Sequence, residues 1–228
     1  MRRNIFSWWI SRIRAQLNNL DILRVDHFRG FESFWSIPYG EPTAVNGEWV
    51  KAPGHALFSA VRDAFEGDLS NYCRRSGHYH PGSGSLRDEF GFPGMKVLQF
   101  AFDSLDEGSY LPHRYTSSVC VCYTGTHDND TTRSWYQTLR PECRDKVRRY
   151  THCSNDTHFP LDLIGTALAS VAAYAIFPLQ DVLCVGAEGR MNTPGIGAGN
   201  WSWRYQQSAL KDELADELRG MTILYGRY

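Results

Sequence analysis

Two carboxylates stand among neighbours that could set them to chemical work. Asp26 closes the run Leu23-Arg24-Val25-Asp26-His27-Phe28-Arg29-Gly30. Arg24 lies two residues earlier, so in an extended strand both side chains share a face, and a guanidinium there would hold the carboxylate ionised and aimed. The same spacing also suits a plain structural ion pair at a strand end, and the residues alone leave both readings open. Asp128 stands in Tyr123-Thr124-Gly125-Thr126-His127-Asp128-Asn129-Asp130-Thr131-Thr132, a block dense in hydrogen-bonding groups. Such a block suits a polyhydroxylated ligand; the alternatives are a solvated turn or a cation loop, although no regular metal-ligand spacing supports a cation. The third group is aromatic: Phe28, Phe31, Phe34, Trp35, Tyr39 and Trp49 crowd one stretch, and Trp201 and Trp203 follow Asn200. Aromatic faces stack on flat apolar ligand faces or simply fill a core.

Positioning these groups requires strands that end beside them. Residues 20–25, 96–102, 119–124 and 175–179 are short apolar or β-branched runs, too continuous for half-exposed strands, and so predict buried parallel ones. Each is followed by polar groups: Asp26; Asp103; His127 with Asp128; Gln180 with Asp181. A (β/α)8 barrel assembles its site from such strand ends, bringing together residues distant in sequence. Apolar residues at three- and four-residue spacing predict helices over 5–18, 56–65, 141–151, 161–173 and 208–220. Strand-helix alternation gives an α/β class. Residues 28–54 read as one long loop, rich in Gly, Pro and aromatics, of the kind that carries function. The strands found are too few for a whole barrel, which typically takes about 250 residues.

The composition narrows the partners. With 228 residues, 42% of them hydrophobic, the chain can bury a core and is expected to form part of one catalytic domain over 1–228. Its 24 basic and 25 acidic residues are interspersed, which gives neither a stripe for nucleic acid nor a polybasic membrane anchor. The N-terminal run Ile5, Phe6, Trp8, Trp9, Ile10 is broken by Ser11, Arg12 and Arg14, and reads as an amphipathic helix, not a signal or a span. Six cysteines, Cys73, Cys120, Cys122, Cys143, Cys153 and Cys184, form no C-x-x-C pair. Free thiols in a cytoplasmic protein are expected.

Taken together, RVDHFRGFESFWSIPYGEPTAVNGEWVKAPG from Arg24, LRDEFGFPGMKVLQFAFD from Leu86, YTGTHDNDTTRSWY from Tyr123, IFPLQDVL from Ile176 and RMNTPG from Arg190 resemble, in order, the signature blocks of the 4-α-glucanotransferases, glycoside hydrolase family 77. The resemblance implies the C-terminal part of a (β/α)8 barrel. It also implies retaining double displacement, in which a segment of an α-1,4-glucan passes through a glycosyl-enzyme intermediate to an acceptor sugar. By resemblance Asp26 matches the nucleophile and Asp128 the carboxylate that stabilises the transition state. Arg24, His127, Asp103 and Asn192 match substrate-binding positions, and the aromatic stretch with Trp35 would bind sugar and keep the site dry. Maltooligosaccharides and α-1,4-glucans are the implied partners; no metal or organic cofactor is implied.

The chain departs from the family pattern in two places. The family's opening strands have no counterpart before Met1. Between Leu69 and Leu86 the family carries a strand of the type IIAEDLGIITPEVEA, whose glutamate is the acid/base. Here residues 71–85 read NYCRRSGHYHPGSGS, polar, glycine-rich and without strand character. Back-translated with permitted codons and read one nucleotide along, the segment from Asn71 encodes I-I-A-E-D-L-G and continues as I-I-T-P-E-V-E-A. Two compensating frame changes would produce that result, and they leave Arg74 in the glutamate's place. Arginine cannot give up and recover a proton at working pH. A metal site from Cys73, His78 and His80 would not explain the shifted-frame match.

Overall fold

The computed structural model describes residues 5–65, 72–74, 81–105 and 108–228. It divides into two units, Met1–Met95 and Lys96–Tyr228.

In the first unit, helix α1 (Ser7–Leu17) buries Ile10 and Ile13, and helix α2 (Gly54–Ala64) buries Leu57, Phe58 and Val61, each set at one-turn spacing and in one core, to which helix α3 (Pro81–Glu89) adds Leu86. Phe28 opens a 3-10 turn, Phe28–Phe31, is 1% exposed, and stacks on Phe58 with ring centroids 5.1 Å apart. α2 begins with glycine because a Cβ on Gly54 would lie 2.0 Å from the Phe31 carbonyl oxygen.

Strand β1 (Leu23–Val25) is shorter than the expected 20–25. Leu20 and Ile22 are 43% and 37% exposed, and only Leu23–Val25 find a pairing partner. That partner is β4 (Tyr72–Arg74), parallel, with Val25 opposite Arg74. The reading of 71–85 as lacking strand character is therefore corrected for residues 72–74: backbone pairing needs no particular side chain. The alternative reading of that window, a metal site from Cys73, His78 and His80, rests on two histidines that lie outside the described residues. The long loop expected over 28–54 is also corrected. After the Phe28–Phe31 turn it forms an antiparallel hairpin, β2 (Ser33–Ser36) with β3 (Glu48–Lys51), in which Trp35 faces Trp49.

The second unit is built on a three-stranded sheet ordered β5 (Gly94–Val97), β6 (Cys120–Tyr123), β7 (Tyr174–Ile176). β6 is buried at every position and runs parallel to β7. The strand expected over 96–102 ends at Val97. Leu98 and Gln99 still donate their amides to Tyr123 and Thr124, but Phe102 turns back to the Gln99 carbonyl, making the 3-10 turn Gln99–Ala101 and sinking its ring into the core. The run 175–179 shifts to Tyr174–Ile176, because Pro178 cannot continue a ladder. It leads into the short helix α7 (Leu179–Val182).

Around the sheet lie α4 (Thr132–Thr138), α5 (Pro141–Thr151), α6 (Phe159–Leu168) and α8 (Asp212–Leu224). Phe159, Leu163 and Ala167, all fully buried, face Leu98, Phe102, Cys122 and Val147, and Tyr136 stacks on Phe159 at 4.0 Å. α6 stops earlier than the expected 161–173, where the Arg227 guanidinium takes the carbonyls of Leu168, Ser170 and Ala172 at 2.8, 2.6 and 2.8 Å. α8 starts later than 208, at a first turn carrying Asp212 and Glu213, acids that suit a helix N-terminus. The helices expected over 5–18, 56–65 and 141–151 are found within two residues of those bounds.

The class is α/β. Among the described residues the strands form sheets of two, two and three, and no barrel closes. No helix among them is long and apolar enough to cross a membrane. No disulfide joins Cys120, Cys122, Cys143, Cys153 or Cys184.

Candidate functional site

In the first unit, β1 delivers Asp26 at its end. The next residue, His27, is left-handed (φ 48°), an uncommon state for a residue with a Cβ, and it turns the chain sharply into Phe28–Phe31. Arg24 Nη2 lies 3.9 Å from Asp26 Oδ1, with the side chains 28% and 63% exposed. That is an ion pair at its outer limit and, this exposed, contributes little to stability. Both residues border a hollow of about 370 Å³, whose walls include Trp9, Ile13, Leu57 and Phe58. On the hairpin, Trp35 and Trp49 meet edge to face at 5.3 Å, and the Trp35 indole N–H donates to the Ala44 carbonyl at 2.8 Å. Arg29 lies over the Trp49 ring at 3.8 Å. The aromatic stretch thus splits: Phe28 is core, whereas Phe34, Trp35, Tyr39 and Trp49 are exposed.

In the second unit, residues 124–132 leave β6 and carry Asp128 at their middle. Asn129 accepts from the amide and hydroxyl of Thr126 at 3.0 and 2.8 Å, closing a small turn. Asp130 accepts from the Thr131 amide and the Ser134 hydroxyl, and Thr131 caps α4 through the Ser134 amide. Asp128 Oδ1 accepts from Asn192 Nδ2 at 2.7 Å and lies 3.4 Å from His127 Nε2. The Asn192 amide donates to the His127 carbonyl at 3.1 Å, so the two segments are tied by backbone as well. Arg190 donates to the carbonyls of Asp128 and Asn192. Trp201, left-handed (φ 62°) and half exposed, sets its ring 5.1 Å from that of His127. Beside them is a hollow of about 90 Å³ lined by His127, Asp130, Gln180 and Arg190 among others. A carboxylate with one oxygen held by an amide and an imidazole, beside an open indole, offers acceptors, donors and a flat apolar face together.

Asp103 occupies a different place. Its carboxylate is exposed and takes the Trp135 indole N–H at 2.9 Å. The strand-end position expected of it belongs to Gln99, which is 2% exposed and donates to the Asp130 carbonyl at 3.0 Å. Sequence reasoning missed Gln99 and Arg190; the signal for Gln99 was a lone amide inside an otherwise apolar run. Asp181 is 1% exposed and accepts from Thr124, from the Thr132 hydroxyl and from the Thr132 amide. Burial pushes its pKa up, and those three hydrogen bonds offset only part of that rise.

Fold and site thus define an α/β protein with carboxylates and exposed aromatics at strand ends. Residues 1–210 match the family described as 4-alpha-glucanotransferase, and the chain belongs to that family. It is 50% identical over 222 residues to a 4-alpha-glucanotransferase of Synechocystis sp., covering 97% of this chain and 44% of the relative. It is 44% identical to that of Thermus thermophilus, covering 97% and 45%. The amylomaltase of Streptococcus agalactiae, solved in complex with acarbose, superimposes with a TM-score of 0.92 at 32% identity, covering 97% of this chain and 45% of that one. The chain spans about half the length of the curated relatives it matches.

Proposed function

We propose that this chain carries the C-terminal part of a 4-α-glucanotransferase barrel that acts on maltooligosaccharides and α-1,4-glucans in the cytoplasm. The observation that carries this reading is the Asp128 cluster, in which Asn192 and His127 fix the carboxylate beside the open face of Trp201. Asp26 is the nucleophile that attacks the anomeric carbon, with the Arg24 guanidinium on the same side of the strand end. Asp128 binds sugar hydroxyls and stabilises the positive charge that builds on the ring, with His127 and Asn192 sharing the hydroxyl contacts. Trp35 adds a substrate contact from the exposed face of the hairpin. Support comes from the family membership, from the acarbose held by the Streptococcus agalactiae amylomaltase, and from the parallel pairings β1–β4 and β6–β7. No metal or organic cofactor enters this chemistry.

One observation favours a second reading. Position 74, where the family pattern puts its acid/base glutamate, is arginine. Without a proton donor the departing glucan leaves as a poor leaving group, and the loss is about two to four orders of magnitude in rate. The chain as written would then bind glucan without turning it over. Resequencing the coding region through the codon for Leu86, together with incubation with maltotriose, separates the two. A frame reading I-I-A-E-D-L-G goes with release of glucose and longer maltodextrins. A frame that keeps Arg74 goes with neither product, and with acarbose binding as the remaining activity. Absence of acarbose binding by either chain would sink both readings.

A further inference from the structure

We propose that Asp181 is the positioning residue of the Asp128 loop, holding its two ends on the oxygens of a single buried carboxylate. The inference rests on the reading of Asp128 as a sugar-binding carboxylate for its consequence, but not for its geometry. Thr124 is the residue that leaves β6, and Thr132 is the first residue of α4, so together they bound the loop. Asp181 Oδ2 accepts from the Thr124 hydroxyl at 2.6 Å and from the Thr132 hydroxyl at 2.8 Å, while Oδ1 accepts from the Thr132 amide at 3.1 Å. Both threonines are fully buried and Asp181 is 1% exposed, so water cannot substitute for any of these bonds.

Three donors from the two ends of the loop converge on the two oxygens of one carboxyl group, and none of the three can turn to water instead. The geometry also reaches past the loop's base. Asp181 lies on α7, next to Gln180, whose amide donates to the Gly189 carbonyl at 3.0 Å, one residue before Arg190. Arg190 in turn donates to the Asp128 and Asn192 carbonyls. The same short helix therefore anchors both segments that meet at the 2.7 Å bond between Asp128 and Asn192. Asp181 touches no ligand on this account. It sets where Asp128 stands.

The test uses the full chain and three variants, Thr124→Val, Thr132→Val and Asp181→Ala, followed by two-dimensional NMR and amide hydrogen exchange without ligand. The valines keep shape and remove one hydroxyl donor each, so they remain informative where Asp181→Ala fails to fold. The expected result is a shifted Asn192 side-chain amide signal. Protection at the amides of Thr126, Asp128, Asn129 and Thr131 should also fall by up to about tenfold, the size of one lost buried hydrogen bond. Protection at Leu163 and Ile164 in α6 should be retained. Loop amides and the Asn192 signal unchanged in both valine variants, or protection lost equally in α6, would overturn the proposal. An acarbose titration of the same samples is read separately. If the unaltered chain does not bind, the carbohydrate reading of Asp128 falls, while the exchange data still decide whether Asp181 positions the loop.

Discussion

At the scale of single residues, the two acidic groups that matter most in the second unit live in opposite environments. Asp128 is partly exposed and bound through one oxygen by Asn192, whereas Asp181 is sealed and triply bonded. Removing the amide partner by Asn192→Ala leaves Asp128 without its 2.7 Å donor. One hydrogen bond to a charge is worth about 1.5 kcal/mol, so acarbose should bind about tenfold more weakly with little change in Tm; unchanged affinity in a titration would contradict the role given to Asn192. For Asp181 the sign of the pH effect follows from burial. Its folded pKa lies above the ordinary value of 3.8, so the folded state holds the proton more tightly than the unfolded chain. This contribution to stability is complete below about pH 4 and is lost as pH rises through the raised pKa. Asp181→Asn removes that slope. Urea unfolding between about pH 4 and pH 7 should therefore show the variant gaining on the parent as pH rises, and a constant difference would show that Asp181 does not titrate in this way.

At the scale of elements, the 124–132 loop is fitted against its neighbours tightly enough to be tested by adding one methyl group. A Cβ on Gly125 would stand 2.8 Å from Gln99 Nε2, the nitrogen that holds the Asp130 carbonyl. Gly125→Ala should cost about 1–3 kcal/mol in unfolding free energy through this overpacking. Adding Gln99→Ala should recover part of that cost, since the clashing amide is then gone; additive losses in a double-mutant cycle would mean the clash is not its source. Such contacts were only partly readable beforehand. The apolar runs marked where β1, β5, β6 and β7 would lie, but not where they would stop. Leu98 and Phe102 prolong an apolar pattern while the backbone between them coils into a 3-10 turn, because Phe102 has a buried site in the core to fill. The hairpin Ser33–Ser36 with Glu48–Lys51 was invisible in a stretch dense in Gly and Pro, since its pairing partners lie far apart along the chain.

At the scale of the whole molecule, the thiols offer a measurement that spans the second unit. Burial pushes the Cys153 thiol up to about 11, helped by the nearby Asp162 carboxylate, and raises Cys122 and Cys184 as well. Iodoacetamide at about pH 8 should accordingly react slowly with the native chain at all three, with Cys184, half-exposed where Cys122 and Cys153 are buried, modified first of the three. Peptide mapping that finds Cys122 or Cys153 modified ahead of Cys184 would show that this packing opens readily in solution. By itself the sequence determined the α/β class, the family, the helices of one-turn apolar spacing and the presence of Asp26, Arg24, His127, Asp128 and Asn192, because periodicity and motif identity are local properties of the chain. Only the tertiary structure decided that Asn192 reaches Asp128, that Gln99 takes the place expected of Asp103, and that Asp181 joins Thr124 to Thr132. Those are meetings of residues tens of positions apart, and they exist only once burial has removed water as the competing partner.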